Sequence, residues 1–194
     1  MEVSQRRGRG RLQGSRRGRC SVCVRLGSRP ERPMIFSLRT RPAWGILAYV
    51  QMGRPFRPRV SYLLRSQHRS GGWGWIAGAG PDSNDTAAVI QALRTQGVRG
   101  PSISRGIAYL RRLQNADGGF ELTPGRGSDT QSTAWAIQAF VAARVKPPAG
   151  AFRYLAALRR ADGSYRYSRK YGATPVWVTS QVLPALARKS FPLR

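Results

Sequence analysis

The chain has 194 residues with 34 Lys and Arg against 8 Asp and Glu, 41% apolar residues, two Cys and one His, which allows one modest domain plus a tail and excludes a large multidomain enzyme. A formal charge of +26 ordinarily points to polyanions, but 31 of the basic residues are Arg and 3 are Lys, a skew that GC-rich coding produces without selection for charge. The longest uncharged stretch, 171–187, is broken by Pro175 and Pro184, so no window of about 18 to 20 apolar residues exists and a transmembrane helix is excluded.

Residues 1–40 hold 11 Arg and 2 Glu, a higher charge density than the rest. From Arg6 to Arg19 glycines separate basic residues, with almost nothing to bury against the entropy of ordering, and the segment is read as disordered. It is not a secretory signal, lacking an apolar core and a small-residue cleavage site, and nothing here points to export. Its one Cys-x-x-Cys, Cys20 to Cys23, has no second pair and reads as chance. Arg-Gly-rich chain can hold nucleic acid through phosphate contacts and stacking, but Phe36 is the segment's one aromatic, which makes this the weakest functional reading. A misplaced start or shifted frame is the expectation for much of the tail.

After residue 40 the chain repeats itself. Ala43 to Val50 matches Ala134 to Val141 by residue class, an isolated half-repeat that opens the region near residue 41. Next comes Tyr62-Leu63, Gln67, Gly71-Gly72-Trp73. It recurs as Tyr109-Leu110, Gln114, Asp117-Gly118-Gly119-Phe120, and again as Tyr154-Leu155, Arg159, Asp162-Gly163-Ser164-Tyr165. The tyrosines are 47 and then 45 residues apart, a spacing that suits two helices and their connections. Between these copies, Thr86 to Leu93 matches Thr133 to Phe140, again at an offset of 47. The last copy, Pro175 to Ala187, matches at 42 or 43, and Pro184 inside it predicts a kinked or broken helix.

Segments apolar all round, such as Ala134 to Ala143, are expected inside, and the Tyr-Leu-x-x-x-Gln helices, amphipathic with Arg111, Arg112, Arg159 and Arg160, outside. The fold class is therefore all-α in two concentric layers. The Gly-Gly-aromatic element ends each outer helix in a turn requiring positive φ, with the aromatic packed over the helix end. Gln67, Gly72, Trp73, Gln114, Gly119, Phe120, Gly163 and Tyr165 are thus structural before they are chemical.

Arg105-Gly106-Ile107-Ala108-Tyr109-Leu110, followed by Gln114 and Gly118-Gly119-Phe120, closely resembles the Gln-Trp repeat of squalene–hopene cyclases and other terpenoid cyclases. Gln67 with Gly72-Trp73 resembles it too, with Arg59 at the place of the Gly. The third copy departs further, with Ala151, Arg159 and Tyr165 at the Gly, Gln and Trp places. The resemblance covers residues 41–194 and implies the α/α toroid which that family shares with protein prenyltransferase β-subunits, inner helices lining an apolar cavity. A closed toroid of this kind has about six hairpins where this chain supplies three and a half. Open edges that expose apolar helix faces follow, and with them self-association or a partner.

The resemblance also places an acid motif. Class II terpene cyclases protonate an alkene with Asp-x-Asp-Asp at the start of an inner helix, and this chain has Asp82-Ser83-Asn84-Asp85-Thr86-Ala87 there. Asn84 stands where the proton-donating Asp would be, and an amide is no general acid. Internal repetition supplies a plainer role, since Asp82 falls on Asp129, Asn84 on Gln131 and Asp85 on Ser132, short polar residues that cap helix N–H groups. Asp82 and Asp85 remain the candidate catalytic pair. Glycoside hydrolysis lacks a second carboxylate not already explained as a turn or cap. The prenyltransferase zinc would need Asp, Cys and His, yet residues 41–194 have no Cys and only His68, so no metal or other cofactor is expected. Among the aromatics, Trp44 and Trp135 are repeat-equivalent inner positions and Trp177 is a third candidate for lining a cavity.

The reading is a partial toroid, noncatalytic, that holds a lipophilic, isoprenoid-like small molecule or a protein segment on its concave inner face. The alternative is a class II cyclase relative whose acid is degenerate or supplied by missing chain.

Overall fold

The computed structural model describes residue 43, residues 45–47 and residues 60–193. The tail at 1–40 with Cys20 and Cys23, and Trp44, lie outside the described residues. Ala43, Ile46 and Leu47 are helical and buried in the core. The described elements run α1 (Val60–Arg65), α2 (Ser83–Thr95), α3 (Pro101–Arg112), β1 (Phe120–Glu121), β2 (Ser128–Asp129), α4 (Thr130–Ala142), α5 (Ala149–Ala157) and α6 (Pro175–Leu186).

Helices α2, α4 and α6 form an inner layer in which α4 packs against both α2 and α6, while α1, α3 and α5 lie outside against α2 and α4. The division follows from composition. Every residue from Thr86 to Leu93 and from Ser132 to Phe140 is buried, possible because alanines let the inner helices approach closely. In α3 only Ile103, Gly106, Ile107, Tyr109 and Leu110 are buried, one amphipathic face. Each large side chain such as Ile137 or Phe140, fully buried here, contributes roughly 1.5–3 kcal/mol. The fold is an incomplete α/α toroid.

Each outer helix ends in the same latch. Gly71, Gly118 and Gly163 take φ of +93, +86 and +84°, the left-handed turn that glycine adopts without strain. The amides of Trp73, Phe120 and Tyr165 then donate to the hydroxyls of Thr86, Thr133 and Thr179 on the following inner helix, at 2.9, 2.9 and 3.0 Å. Gln67 ties the turn to the next hairpin, its Nε2 donating to the carbonyls of Gly71 and Ser102 at 2.7 and 2.8 Å. Gln114 Nε2 likewise reaches the Gly118 carbonyl at 3.0 Å. Trp73 is buried and its Nε1 donates to the Leu63 carbonyl at 2.7 Å.

These latches correct two expectations about the last copy. Thr179 occupies the place of Thr133, so the offset is 46 and not 42 or 43. Helix α6 is also unbroken at Pro184 and ends two residues later, at Leu186, so the loss of the one bond that the proline nitrogen cannot make to the carbonyl four residues back does not stop it.

The inner helices end alike. The amides of Val98, Val145 and Lys189 reach back to the carbonyls of Leu93, Phe140 and Pro184 at 3.0, 2.9 and 2.9 Å, the long bond of a Schellman motif. The preceding residue is left-handed each time: Gly97 at φ +79°, Arg144 at +59° and Arg188 at +51°. For the two arginines that conformation costs about 1–2 kcal/mol.

Candidate functional site

The N-terminal ends of α2, α4 and α6 border an open-mouthed cavity of about 390 Å³ that draws the candidate residues together. Asp82, Asn84 and Asp85 line it from α2, with Gln131 and Trp135 from α4 and Trp177 and Gln181 from α6. Leu122, just beyond β1, completes the wall. The register explains the meeting. Trp177 stands at the place that Asn84 and Gln131 hold in the earlier copies, one residue pair before the latch threonine, and not at the place of Trp135. Trp177 is 58% exposed where Trp135 is 2% exposed, so one indole is a rim and the other a wall.

Trp135 is fixed from two sides. Its Nε1 donates to Gln181 Oε1 at 2.7 Å. Phe191, from the segment after α6, stacks on it at 5.5 Å with 27° between the rings, and the Phe191 amide donates to Gln91 Oε1 at 2.7 Å. An apolar ring thus already lies against an inner-face indole. Gln138, the repeat counterpart of Gln91, donates through Nε2 to the Gln181 carbonyl at 2.9 Å and leaves its buried Oε1 without a hydrogen-bond partner.

Asp82 caps α2, its Oδ1 accepting the Asp85 amide at 2.8 Å. Asp129 does the same for α4, accepting the Ser132 amide and hydroxyl, each at 2.7 Å. The two caps differ electrically. Burial first, and then the charge of Asp85, push the Asp82 carboxyl from 3.8 up to about 7. Burial also raises Asp129, but there the Ser132 amide and hydroxyl, the Gln131 amide and the Arg126 charge pull the other way, and no second carboxylate adds to the shift. Buried Glu121 accepts the Gly127 amide at 3.0 Å and staples the loop between β1 and β2. Among the described residues no group of three or more His, Cys, Asp and Glu lies together as metal ligands would, and no helix is long and apolar enough to cross a membrane.

The sequence reading singled out Asp82, Asn84, Asp85, Trp135 and Trp177, and all five line this cavity, while Trp44 lies outside the described residues. It missed Gln181, hidden by the wrong register of the last copy, Phe191, which belongs to no repeat, and Leu122, the counterpart of Tyr167, whose carbonyl accepts the Ser83 amide at 2.9 Å as that of Tyr167 accepts the Thr130 amide at 2.7 Å. Gln131 had a signal, as the counterpart of Asn84.

No protein-family model matches the chain, and no curated protein matches it in sequence. Solved structures do. Candida albicans protein geranylgeranyltransferase-I complexed with GGPP superposes with a TM-score of 0.63 at 15% identity, over 75% of this chain and 47% of that one. A variant of the type II terpene cyclase MstE from Scytonema, in complex with its substrate geranylgeranyl dihydroxybenzoate, gives 0.58 at 16% identity over 75% and 47%. A second variant of that enzyme, with its product merosterolic acid A, gives 0.57 at 16% over 75% and 48%. The chain spans about half the length of these proteins, and at such identities the likeness is one of fold.

Proposed function

We propose that this chain, which has the α/α-toroid fold that terpenoid cyclases and protein prenyltransferases share, is a binding protein that holds a lipophilic, isoprenoid-like molecule in the cavity between Trp135 and Trp177. The observation that carries the reading is that cavity, with two indoles and Leu122 for an apolar body and Gln131, Gln181 and Asn84 for a polar end. Reaction chemistry is left out because Asp82 is engaged as a helix cap and Asn84 has no acidic proton to give. The same reading places a second copy of the chain over the exposed face of α6.

The test is titration of the full chain with geranylgeraniol, followed by tryptophan fluorescence. Saturable binding is expected, weakened about tenfold, some 1.4 kcal/mol, by Trp177→Ala, with an unchanged melting temperature because the ring is exposed. Absence of saturable binding would remove the reading.

One observation favours the cyclase alternative. A carboxyl raised to about 7 is in the range where a general acid works near neutral pH. Incubation with squalene or geranylgeranyl diphosphate separates the two readings. A cyclised product from the wild-type chain, a hydrocarbon from squalene or a ring-closed diphosphate from geranylgeranyl diphosphate, lost in Asp82→Asn and increased in Asn84→Asp, would establish a cyclase, and its absence in all three leaves the binder.

A further inference from the structure

The opposite end of the inner layer carries a second concave surface. A helix of 13 residues is about 20 Å long, so the C-terminal ends of α2 and α4 lie well away from the Trp135–Trp177 cavity. There a cavity of about 350 Å³ is lined by Arg94, Arg99, Arg111 and Arg144, with Gly100 and Ser104 at the start of α3. A neighbouring hollow of about 320 Å³ shares Arg94 and Arg144. Neither has an acidic residue in its lining.

The arrangement is built and not merely basic. Arg94 is half-buried and its guanidinium is held by two bonds, Nε to the Ala142 carbonyl and Nη1 to the Val98 carbonyl, both 2.9 Å. Its pKa is pushed below the usual arginine range by burial first, and then by the charges of Arg99 and Arg144. Arg144 stands in the left-handed position that glycine fills at the end of α2. An arginine anywhere in the last turn would serve the helix dipole without that strain, so the dipole does not explain the choice. Gly100 caps α3 with no side-chain bond, which adds the positive end of a 12-residue helix to the basin. The two inner helix ends oppose an anion with about half a negative charge each, and four guanidiniums exceed that severalfold.

We propose that this basin is a binding site for a phosphate or diphosphate group, gripped by the planar forks of Arg94, Arg99, Arg111 and Arg144. The group arrives either as a free anion or as the headgroup of a phosphorylated lipid. The site does not depend on the binding function assigned to the opposite cavity.

The experiment is calorimetric titration of the full chain with inorganic pyrophosphate at about 150 mM salt, where scattered surface charge is largely screened. Arg99 and Arg144 are exposed, so the double variant Arg99→Gln/Arg144→Gly removes two charges while relieving backbone strain. Affinity is expected to fall at least tenfold although the variant melts no lower than wild type. Arg153→Gln/Arg169→Gln, with the same loss of charge at exposed positions elsewhere, is expected to change affinity less than twofold. Vesicles of phosphatidylcholine with phosphatidic acid identify the source, since co-sedimentation lost in the first variant and kept in the second assigns a lipid headgroup, and pyrophosphate binding without it a free anion. Equal loss in both variants, or no pyrophosphate binding by the wild type, overturns the site. So does displacement of pyrophosphate by an oligonucleotide duplex that binds more tightly, which would make the basin a nucleic-acid surface.

Discussion

Asp82 serves two ends that ask for opposite charge states. As the cap of α2 it accepts the Asp85 amide at 2.8 Å, and the positive helix end favours its anion. Burial and the Asp85 carboxylate favour the neutral acid and prevail, taking it to about 7. Because the folded chain holds this proton to a higher pH than the unfolded chain, Asp82 makes stability fall as pH rises from about 4 to about 7. Asparagine caps as well as aspartate does. Asp82→Asn is therefore expected to match wild type near pH 4 and to exceed it near pH 8 by on the order of 1–2 kcal/mol, the carboxyl being still partly solvated. Urea midpoints at several pH values check this, and a wild-type slope that persists in the variant would refute it. A second residue-scale contrast lies in the turns. A Cβ on Gly119 would meet the Tyr154 ring at 2.8 Å and Ser128 at 2.6 Å, while the third copy carries Ser164 at that place. Gly119→Ala should lower stability by about 1–3 kcal/mol, the usual cost of overpacking. Ser164→Ala should cost less than 1 kcal/mol, its side chain making only a local bond to Asp162 at 2.7 Å.

Between residue and molecule the working unit is the latch of turn aromatic on inner-helix threonine. Thr133 Oγ1 accepts the Phe120 amide at 2.9 Å and donates to the Asp129 carbonyl at 2.7 Å, fully buried. Thr133→Val keeps the shape and strands a buried N–H, for which about 1–3 kcal/mol is the expected loss. Chemical unfolding measures it, and a loss below 0.5 kcal/mol, the ordinary surface range, would mean that the latch holds nothing. This unit also shows what the sequence made legible. Two glycine-rich turns and two alanine-rich helices recur at one spacing, and periodic burial is a strong signal, so the layers, the order of the helices and the candidate ends of α2 and α4 could be read directly. The last copy could not. Arg159 has replaced its glutamine and Pro175 stands where Asp82 and Asp129 cap the earlier helices. Its register rests on the hydroxyl of Thr179, one small polar group that carries no hydrophobic pattern. That single uncertainty concealed Gln181 and the true register of Trp177, although Trp177 itself stood among the candidates. The arginine basin escaped for a different reason, since in a chain with 31 arginines no four of them stand out until the fold brings them together.

At the scale of the molecule, α6 is an inner helix with one side unserved. It packs on α4 through Gln181 and its neighbours, yet Val176 is 83% exposed and Leu183 57%, with Leu186 also in water. Val176 and Leu183 are seven residues apart and share a face, so the exposure forms a stripe and not a scatter. Covering such side chains gains roughly 1.5–3 kcal/mol each, enough with Trp177 at the same edge to hold a second copy weakly. Opposing this is the formal charge of +26 on each chain, a repulsion that reaches about 10 Å at 0.1 M salt and is cut to about 3 Å at 1 M. The two forces respond oppositely to salt, since apolar burial is not screened. Self-association is therefore expected to strengthen with ionic strength, with the oligomer fraction by light scattering rising between about 50 and 500 mM salt. Leu183→Lys, which puts a charge in the middle of the stripe, should keep the chain monomeric throughout without lowering its melting temperature. A wild-type chain monomeric at every salt concentration would show that the stripe is tolerated in water and has no partner in a second copy. An association that weakens with salt would point instead to contacts between charges and away from α6.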